Sequence, residues 1–185
     1  ALPGVMLRIR SADTGDACAQ GEVGEIEVRG YLTPGYDGYS AQFNSDTFTS
    51  DGFFRTGDLG SLDAQGALQF AGRTSEMIKR SGINVSPAEV EETLLRDPDV
   101  ALAAVTGVAD QVRDEIIVAF LVAEPGRTID TERVRALCKE RLSRYKVPDR
   151  IYVTDRLPLT VTGKLMRREL RAIASARLAD SQETE

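Results

Sequence analysis

The pattern of apolar residues changes near residue 72, and this change constrains the fold of the 185-residue chain more than any other feature. Before it, short stretches alternate apolar and polar residues between glycines, which is typical of strands and turns. After it, a helix start signal and longer apolar runs follow one another, as in mixed domains. We therefore predict an α+β chain, with a small β-barrel or sheet in residues 1–72 and a small α+β domain after them.

One helix of the second part has a clear start signal. Ser86 can cap it, Pro87 suits the first helical position, and Glu89 completes a capping box. Val90 and Leu94 would then face the core. The other predicted elements are strands at 5–10, 25–29, 67–71, 102–108, 116–122 and 150–153, helices at 130–142 and from about 166, and a disordered polar tail at 180–185.

The composition excludes several kinds of chemistry. Histidine is absent, which removes Ser-His-Asp triads, histidine zinc sites and histidine acid–base catalysis. Cys18 and Cys138 lie far apart, which favours reduced thiols in a cytoplasmic protein, and no metal site is predicted. The longest apolar runs, such as 116–123, are too short to span a bilayer. The N-terminus has neither a signal-peptide pattern nor a Met, so we expect a fragment or a processed chain.

The net charge of −6 is unevenly placed along the chain. Residues 1–72 hold ten acidic and four basic side chains, whereas residues 139–171 hold ten basic and four acidic ones. The basic stretch suits a polyanionic ligand such as a nucleotide or CoA, and a solvated helix face explains it equally well. Nucleic acid is disfavoured, because the pI is near 4.9 and aromatic and basic residues do not interleave.

Three segments contain residue types suited to nucleotide chemistry. In residues 54–59, Asp58 lies beside a glycine turn, where a carboxylate can accept hydrogen bonds from ribose hydroxyls or simply stabilise the turn. In residues 72–91, Arg73, Lys79 and Arg80 precede a glycine that permits a positive φ, although an ordinary basic loop would have the same residues.

The third segment, residues 157–165, places Lys164 directly after Gly163, which itself follows the polar Thr160 and Thr162. It is not a Walker loop, because Pro158 and Leu165 stand where that motif needs Gly and Ser or Thr. On composition alone, Lys164 is an ordinary surface lysine.

Together, the order and spacing of these segments resemble the adenylate-forming superfamily, which includes acyl- and aryl-CoA synthetases, nonribosomal peptide adenylation domains and beetle luciferases. The resemblance covers about residues 1–172. Further matches are residues 24–30 (Gly-Glu-Ile-Glu-Val-Arg-Gly), the run Pro34-Gly35-Tyr36 and residues 145–148 (Tyr-Lys-Val-Pro).

The resemblance implies a domain organisation and two half-reactions. Residues 1–72 would be the last β-rich subdomain of a large N-terminal domain, 73–76 a hinge, and 77–185 a mobile C-terminal lid. A carboxylate would first attack the α-phosphate of ATP, and a thiol, usually that of CoA, would then displace AMP after the lid has rotated. By resemblance, Asp58 and Arg73 would hold the ribose and Lys164 would reach the α-phosphate.

The resemblance also assigns the remaining site residues. Ser75 would lie at the hinge, and the residues of the second half-reaction would be Lys79, Arg80, Ser81 and Gly82. The family usually has Asp or Lys at the hinge position of Ser75, and Gly at the position of Asp114, which precedes Glu115. The form of residues 113–115, with the run 81–86, is similar to crotonobetaine/carnitine-type CoA ligases.

Several family elements are absent from the sequence. It contains no Ser/Thr/Gly-rich phosphate loop and no Tyr-Gly-x-Thr-Glu segment, so neither the magnesium ligands nor the acyl pocket are expected in this chain. We expect the isolated chain to fold but to be inactive without the rest of its N-terminal domain. Two alternatives stay open: an adenylation domain that loads a carrier protein, and a non-catalytic module that binds a nucleotide or a partner.

Overall fold

The computed structural model describes residues 3–11, 14–30, 40 and 46–182. The chain divides into two compact units, Ala1–Ser75 and Glu76–Glu185, each with its own sheet. The run Pro34-Gly35-Tyr36, which is part of the family resemblance, lies outside the described residues. In the described part of the chain, no helix is both long and apolar enough to cross a bilayer.

The first unit is an antiparallel sheet with the strand order β1-β2-β3-β4. Of the two predicted forms, the described residues adopt the open sheet, because β1 and β4 lie at opposite edges. The strands are β1 (Met6–Arg10), β2 (Gly24–Arg29), β3 (Phe54–Leu62) and β4 (Leu68–Arg73).

The strand β3 corrects the predicted glycine turn at residues 54–59. Glu25 pairs with Leu59 and Glu27 pairs with Arg55, so three residues of β3 bulge opposite one residue of β2. Gly57 lies within this bulge with a φ of 71°, a conformation that favours glycine. The glycine therefore shapes an irregular strand rather than a turn.

The second unit is built around β8, which pairs antiparallel with β7, parallel with β9, and with β5 at its first residue. This confirms the predicted α+β domain with a central sheet flanked by helices. Its elements are β5 (Ile78–Arg80), β6 (Ile83–Val85), α1 (Pro87–Leu94), β7 (Val100–Asp110), β8 (Asp114–Ala123), α2 (Thr131–Arg141), β9 (Arg150–Val153) and α3 (Arg167–Gln182).

Both faces of β8 are buried, because successive side chains of a strand point to opposite sides. Ile117, Ala119 and Leu121 belong to one buried cluster with residues of α1 and α2. Val118 and Phe120 belong to a second cluster with residues of α3. The sheet is thus covered on both faces, with α1 and α2 on one side and α3 on the other.

The helix ends only partly follow the sequence signals. Pro87 is the first residue of α1 as predicted, but the Ser86 side chain makes no capping hydrogen bond, so the predicted cap by this side chain is wrong. Asp130 caps α2 by accepting from the amides of Glu132 and Arg133. Helix α3 continues to Gln182, so the tail predicted from residue 180 is helical for its first three residues.

The loop after α1 is held by a buried acid cluster. Asp97 and Asp99 are both buried, and the Arg133 guanidinium donates to each of them. Burial alone would raise the pKa of Asp97, but the hydrogen bonds from Arg133 and from the Asp99 amide outweigh it and lower that pKa. The cluster therefore stabilises the fold only while Asp97 is ionised.

We expect Arg133→Gln to lower the free energy of unfolding by roughly 1–3 kcal/mol at pH 7, because it leaves the buried carboxylate of Asp97 without its cation. Asp97 has a folded-state pKa below its unfolded value near 4, so its contribution is present above about pH 4 and is lost as pH falls through the folded pKa. Urea unfolding from pH 7 to pH 3 should show the parent and the variant converging in acid.

The matched control is Arg96→Gln, which breaks only an exposed pair with Glu92 and should cost less than about 0.5 kcal/mol. A gap between parent and Arg133→Gln that stays constant down to pH 3 would contradict the assignment to Asp97.

Candidate functional site

Asp58 and Arg73 face each other as a cross-strand pair of β3 and β4. The Nε atom of Arg73 lies 2.9 Å from Oδ1 of Asp58, which is an ion-pair distance. The angle does not make it a hydrogen bond, so within the described residues this buried Oδ1 accepts none. The Asp58 amide donates to the Thr56 hydroxyl, which fixes the backbone below the carboxylate. A buried acceptor of this kind fits the hydroxyl of a polar ligand.

Residues Lys79 to Gly82 form the tip of the β5–β6 hairpin. Ser81 and Gly82 have φ values of 49° and 77°, so both central residues of the turn are left-handed, as a two-residue hairpin loop of type I′ requires. Arg80 makes a bidentate ion pair with Asp149, at 2.6 and 2.8 Å. The hairpin thus brings all four predicted residues of the second half-reaction into one turn.

Lys164 lies in a tight loop immediately before α3. The Thr160 amide donates to the Lys164 carbonyl, and the Gly163 amide donates to the Thr160 carbonyl, at 2.8 and 2.9 Å. Leu157 and Leu165, at the two ends of the loop, pack into the cluster beneath α3. The Lys164 side chain is exposed, and its ammonium forms no ion pair in the part of the chain that the structure describes. Its charge is therefore available to a ligand.

The tip of this loop also carries an apolar side chain. Val161 is fully exposed, although most valines are buried.

Arg167, which the sequence did not single out, fixes the start of α3. Its guanidinium lies 2.7 Å from Glu76 and 3.0 Å from Glu91, and it donates to the Val105 carbonyl. Burial alone would lower the pKa of Arg167, but Glu91 and Glu76 raise it, so the side chain stays charged. The loop of Lys164 is therefore held at its C-terminal end by a partly buried cation.

A basic pocket of about 590 Å³ lies in the second unit. Two of its cations, Arg80 and Arg113, are paired with Asp149, and Arg135 donates to the Pro148 carbonyl. Its lining residues are Arg80, Arg113, Arg135, Lys139, Arg144, Val147, Pro148 and Asp149.

The basic stretch of residues 139–171 was the sequence signal for this pocket. Of the residues that line the pocket, however, only Arg80 had been predicted as a site residue. Lys139 and Arg144 are exposed and have no acidic partner within the described residues. These two cations remain available for an anionic ligand, whereas Arg80 and Arg113 are occupied by Asp149.

The remaining predicted residue, Ser75, lies in a short 3-10 turn at Thr74–Glu76. Asp58 and Arg73 belong to the first unit, and the hairpin and Lys164 to the second. Both cysteines are free thiols, and burial raises the pKa of Cys138 to about 11, so it is not a nucleophile at neutral pH. Among the residues that the structure describes, no group of three or more acidic or thiol side chains could hold a metal ion.

Comparison with protein families places this second unit. The family described as "AMP-binding enzyme C-terminal domain" matches residues 89–164. The second unit is therefore similar to the C-terminal domain of AMP-binding enzymes. The resemblance to adenylate-forming enzymes is thereby confirmed, while the finer similarity to carnitine-type ligases stays a prediction.

Relatives of the chain include several acid–CoA ligases. The 2-succinylbenzoate–CoA ligase of Bacillus licheniformis is 43% identical over 163 residues, which is 88% of this chain and 33% of the relative. The indoleacetate–CoA ligase of Aromatoleum aromaticum is 38% identical over 177 residues, which is 95% of this chain and 34% of the relative. The chain thus spans about a third of the length of these relatives.

Solved structures agree with this similarity. ATP-bound MatB from Rhodopseudomonas palustris superposes with a TM-score of 0.87 at 34% identity, covering 94% of this chain and 34% of MatB. The o-succinylbenzoate CoA synthetase MenE from Bacillus subtilis, in complex with the acyl-adenylate intermediate OSB-AMP, gives a TM-score of 0.80 at 36% identity, covering 91% of this chain and 34% of MenE. These two proteins were solved with ATP and with an acyl-adenylate bound.

The free ammonium of Lys164 can be tested on this chain directly. We expect a limiting amount of an amine-acylating reagent to modify Lys164 several-fold faster than Lys146, because the Lys146 ammonium lies 2.6 and 2.7 Å from the two Glu89 oxygens. Peptide mass spectrometry over a time course gives both rates. Glu89→Gln is the control, since it should speed Lys146 alone; equal rates in the parent would contradict the difference in pairing.

Proposed function

We propose that this chain is the C-terminal portion of an ATP-dependent acid–CoA ligase, which activates a carboxylic acid as an acyl-adenylate and transfers the acyl group to CoA. The observation that carries the proposal is the uncommitted ammonium of Lys164 on a loop fixed at both ends. The names of the relatives, which are acid–CoA ligases, support the same reaction class.

In the first half-reaction, the carboxylate oxygen of the acid bonds to the α-phosphorus of ATP, and the bond to the pyrophosphate oxygen breaks. Negative charge grows on the oxygens around the α-phosphorus in the transition state. An ammonium held there offsets this charge without having to reorganise, which is a large catalytic effect. We assign this role to Lys164, whose loop is held by Arg167 and by the partly buried leucines at its ends.

We assign the nucleotide end of the site to Asp58 and Arg73. The buried Oδ1 of Asp58, which accepts no hydrogen bond within the described residues, fits a ribose hydroxyl as its donor. Arg73, which is more exposed than Asp58, pairs with that carboxylate and orients it. The second unit would then act as a lid that rotates about a hinge at residues 73–76, with Ser75 at its centre.

In the second half-reaction, the thiolate of CoA attacks the acyl carbonyl carbon and AMP leaves. We assign Lys79, Arg80, Ser81 and Gly82 to the path of the thiol. The basic pocket, with the free cations Lys139 and Arg144, favours CoA over a carrier protein, because the nucleotide part of CoA carries more phosphate charge than a carrier-bound pantetheine.

The chain alone should be inactive, because it spans about a third of its relatives. Its partners would be the rest of the N-terminal domain, the acid and CoA, in the cytoplasm. Acid-dependent ATP–pyrophosphate exchange, measured on the chain alone and mixed with a separately produced N-terminal portion, tests this. Exchange that occurs only in the mixture supports the proposal. Exchange by the chain alone would refute the expectation that activity needs a phosphate loop from the rest of the N-terminal domain.

We expect Lys164→Ala in the complete enzyme to slow adenylate formation at least about 100-fold, because it removes a cation from the transition state. Thioester formation from preformed acyl-adenylate should stay close to the parent rate. Rapid-quench assays of the two half-reactions measure this separately, with Arg168→Gln as the control for loss of a nearby exposed cation. Equal losses in both half-reactions would contradict the role of Lys164.

The pocket predicts a difference between CoA and pantetheine as thiol substrates. Lys139→Gln should raise the KM for CoA roughly fivefold, equivalent to about 1 kcal/mol, and leave the KM for pantetheine unchanged. Steady-state assays with both thiols measure the two constants. A parent enzyme that prefers a loaded carrier protein to CoA, or a Lys139→Gln variant equally impaired with both thiols, would favour the carrier-protein alternative.

A further inference from the structure

Two turns of the second unit are hydrogen-bonded to each other. The Ser81 amide donates to the Arg113 carbonyl at 2.9 Å, and the Gly82 amide donates to Oδ2 of Asp114 at 3.1 Å. These are the two central amides of the β5–β6 turn, which the hairpin ladder itself leaves without acceptors. The β7–β8 turn therefore supplies both acceptors and sets the position of the hairpin tip.

One of these acceptors exists only because an acidic residue occupies a conformation that favours glycine. Asp110 pairs with Asp114, and its carboxylate accepts from the amides of Val112 and Arg113, which closes a three-residue loop. Asp114, the residue directly after this loop, is left-handed, with a φ of 61°. Glycine would adopt this φ at a lower conformational cost, but it has no side chain to accept the Gly82 amide.

The neighbouring contacts show that the base of the hairpin is held independently of Asp114. Glu115 accepts from the Lys79 amide at 2.7 Å, and Gly107 makes room for it, since a Cβ there would lie 2.8 Å from the Glu115 carboxyl group. Arg80 is held by Asp149 at the base of the hairpin. The base is thus fixed by largely buried groups, whereas the Gly82 end depends on one exposed carboxylate.

We propose that Asp114 is a positioning residue for the second half-reaction: it holds the Ser81–Gly82 turn in the conformation that receives the thiol. This inference rests on the proposed function, which assigns that turn to the path of the thiol. Asp114 acts through the Gly82 amide and touches no reacting atom.

Three substitutions separate the side-chain bond from the backbone conformation. Asp114→Gly keeps the left-handed φ and loses the acceptor. Asp114→Asn keeps both, because asparagine tolerates this conformation and its amide oxygen accepts a hydrogen bond. Asp114→Ala loses both, and its folding is checked by urea unfolding.

The first measurement follows hydrogen exchange of the Gly82 amide by NMR on this chain. We expect exchange roughly fivefold to tenfold faster in Asp114→Gly than in the parent, since one hydrogen bond is lost, and near-parent exchange in Asp114→Asn. The Ser81 amide, whose acceptor is a backbone carbonyl, serves as the internal control. Unchanged protection of Gly82 in Asp114→Gly would overturn the proposal.

The second measurement separates a positioning role from a merely structural one. In the complete enzyme, Asp114→Gly should raise the KM for CoA and slow thioester formation from preformed acyl-adenylate several-fold, leave pyrophosphate exchange unchanged, and be rescued by Asn. Equal losses in both half-reactions, or no loss in either, would overturn it. If the parent makes adenylate but no thioester with CoA, the proposed function fails, and Gly82 exchange still decides whether Asp114 positions the turn.

Discussion

The burial of β8 on both faces is the constraint on which the second unit depends. Every chemically important segment of this unit is attached to that strand or to an element packed on it. The hairpin of Lys79–Gly82 pairs with the first residue of β8. Strand β9, which directly follows the pocket residues 147–149, pairs with the middle of β8. The Lys164 loop is anchored by leucines in the cluster beneath α3. A buried apolar strand thus positions the polar side chains of the hairpin, the basic pocket and the Lys164 loop.

Carboxylates divide the many cations of this unit into two groups. Asp149 accepts from Arg80, Arg113 and the Ile117 amide, so one acid joins two hairpins and the central strand. Guanidinium groups are suited to such bidentate pairing because of their planar fork. The lysines and arginines without an acid partner keep their charge for a ligand. The number of unpaired cations in the pocket is therefore a better guide to anion binding than its net charge.

The sequence predicted those strands that show a clear pattern of apolar residues. Strands β1, β2, β4, β7, β8 and β9 were found because their side chains alternate or form apolar runs. Strand β3 was missed, since Gly57 and Gly60 give it no strand propensity and pairing on both sides stabilises it instead. Strands β5 and β6 have three residues each, too few to show a period.

The candidate site residues that lie within family motifs could be predicted from the sequence. Motif order identified Lys164 and the hairpin, and the positive φ of Gly82 follows from its residue type. Asp149 and Arg167 could not be found in this way, because their partners lie far away in sequence. Asp114 is an intermediate case: the sequence marks it as a departure from the family, and only the structure gives the departure a hydrogen-bond partner.

The exposed Val161 at the tip of the Lys164 loop bears on the cost of dehydration. An ammonium that enters a closed cleft must give up water, which is unfavourable until its anionic partner replaces that water. Val161 precedes Lys164 by three residues and is fully exposed, so the same movement would remove apolar surface from water, which is favourable by up to about 1.5–3 kcal/mol for a side chain of this size. If the proposed closure buries Val161 together with Lys164, the loop couples an unfavourable desolvation to a favourable one, and a polar residue at the tip would remove the favourable part.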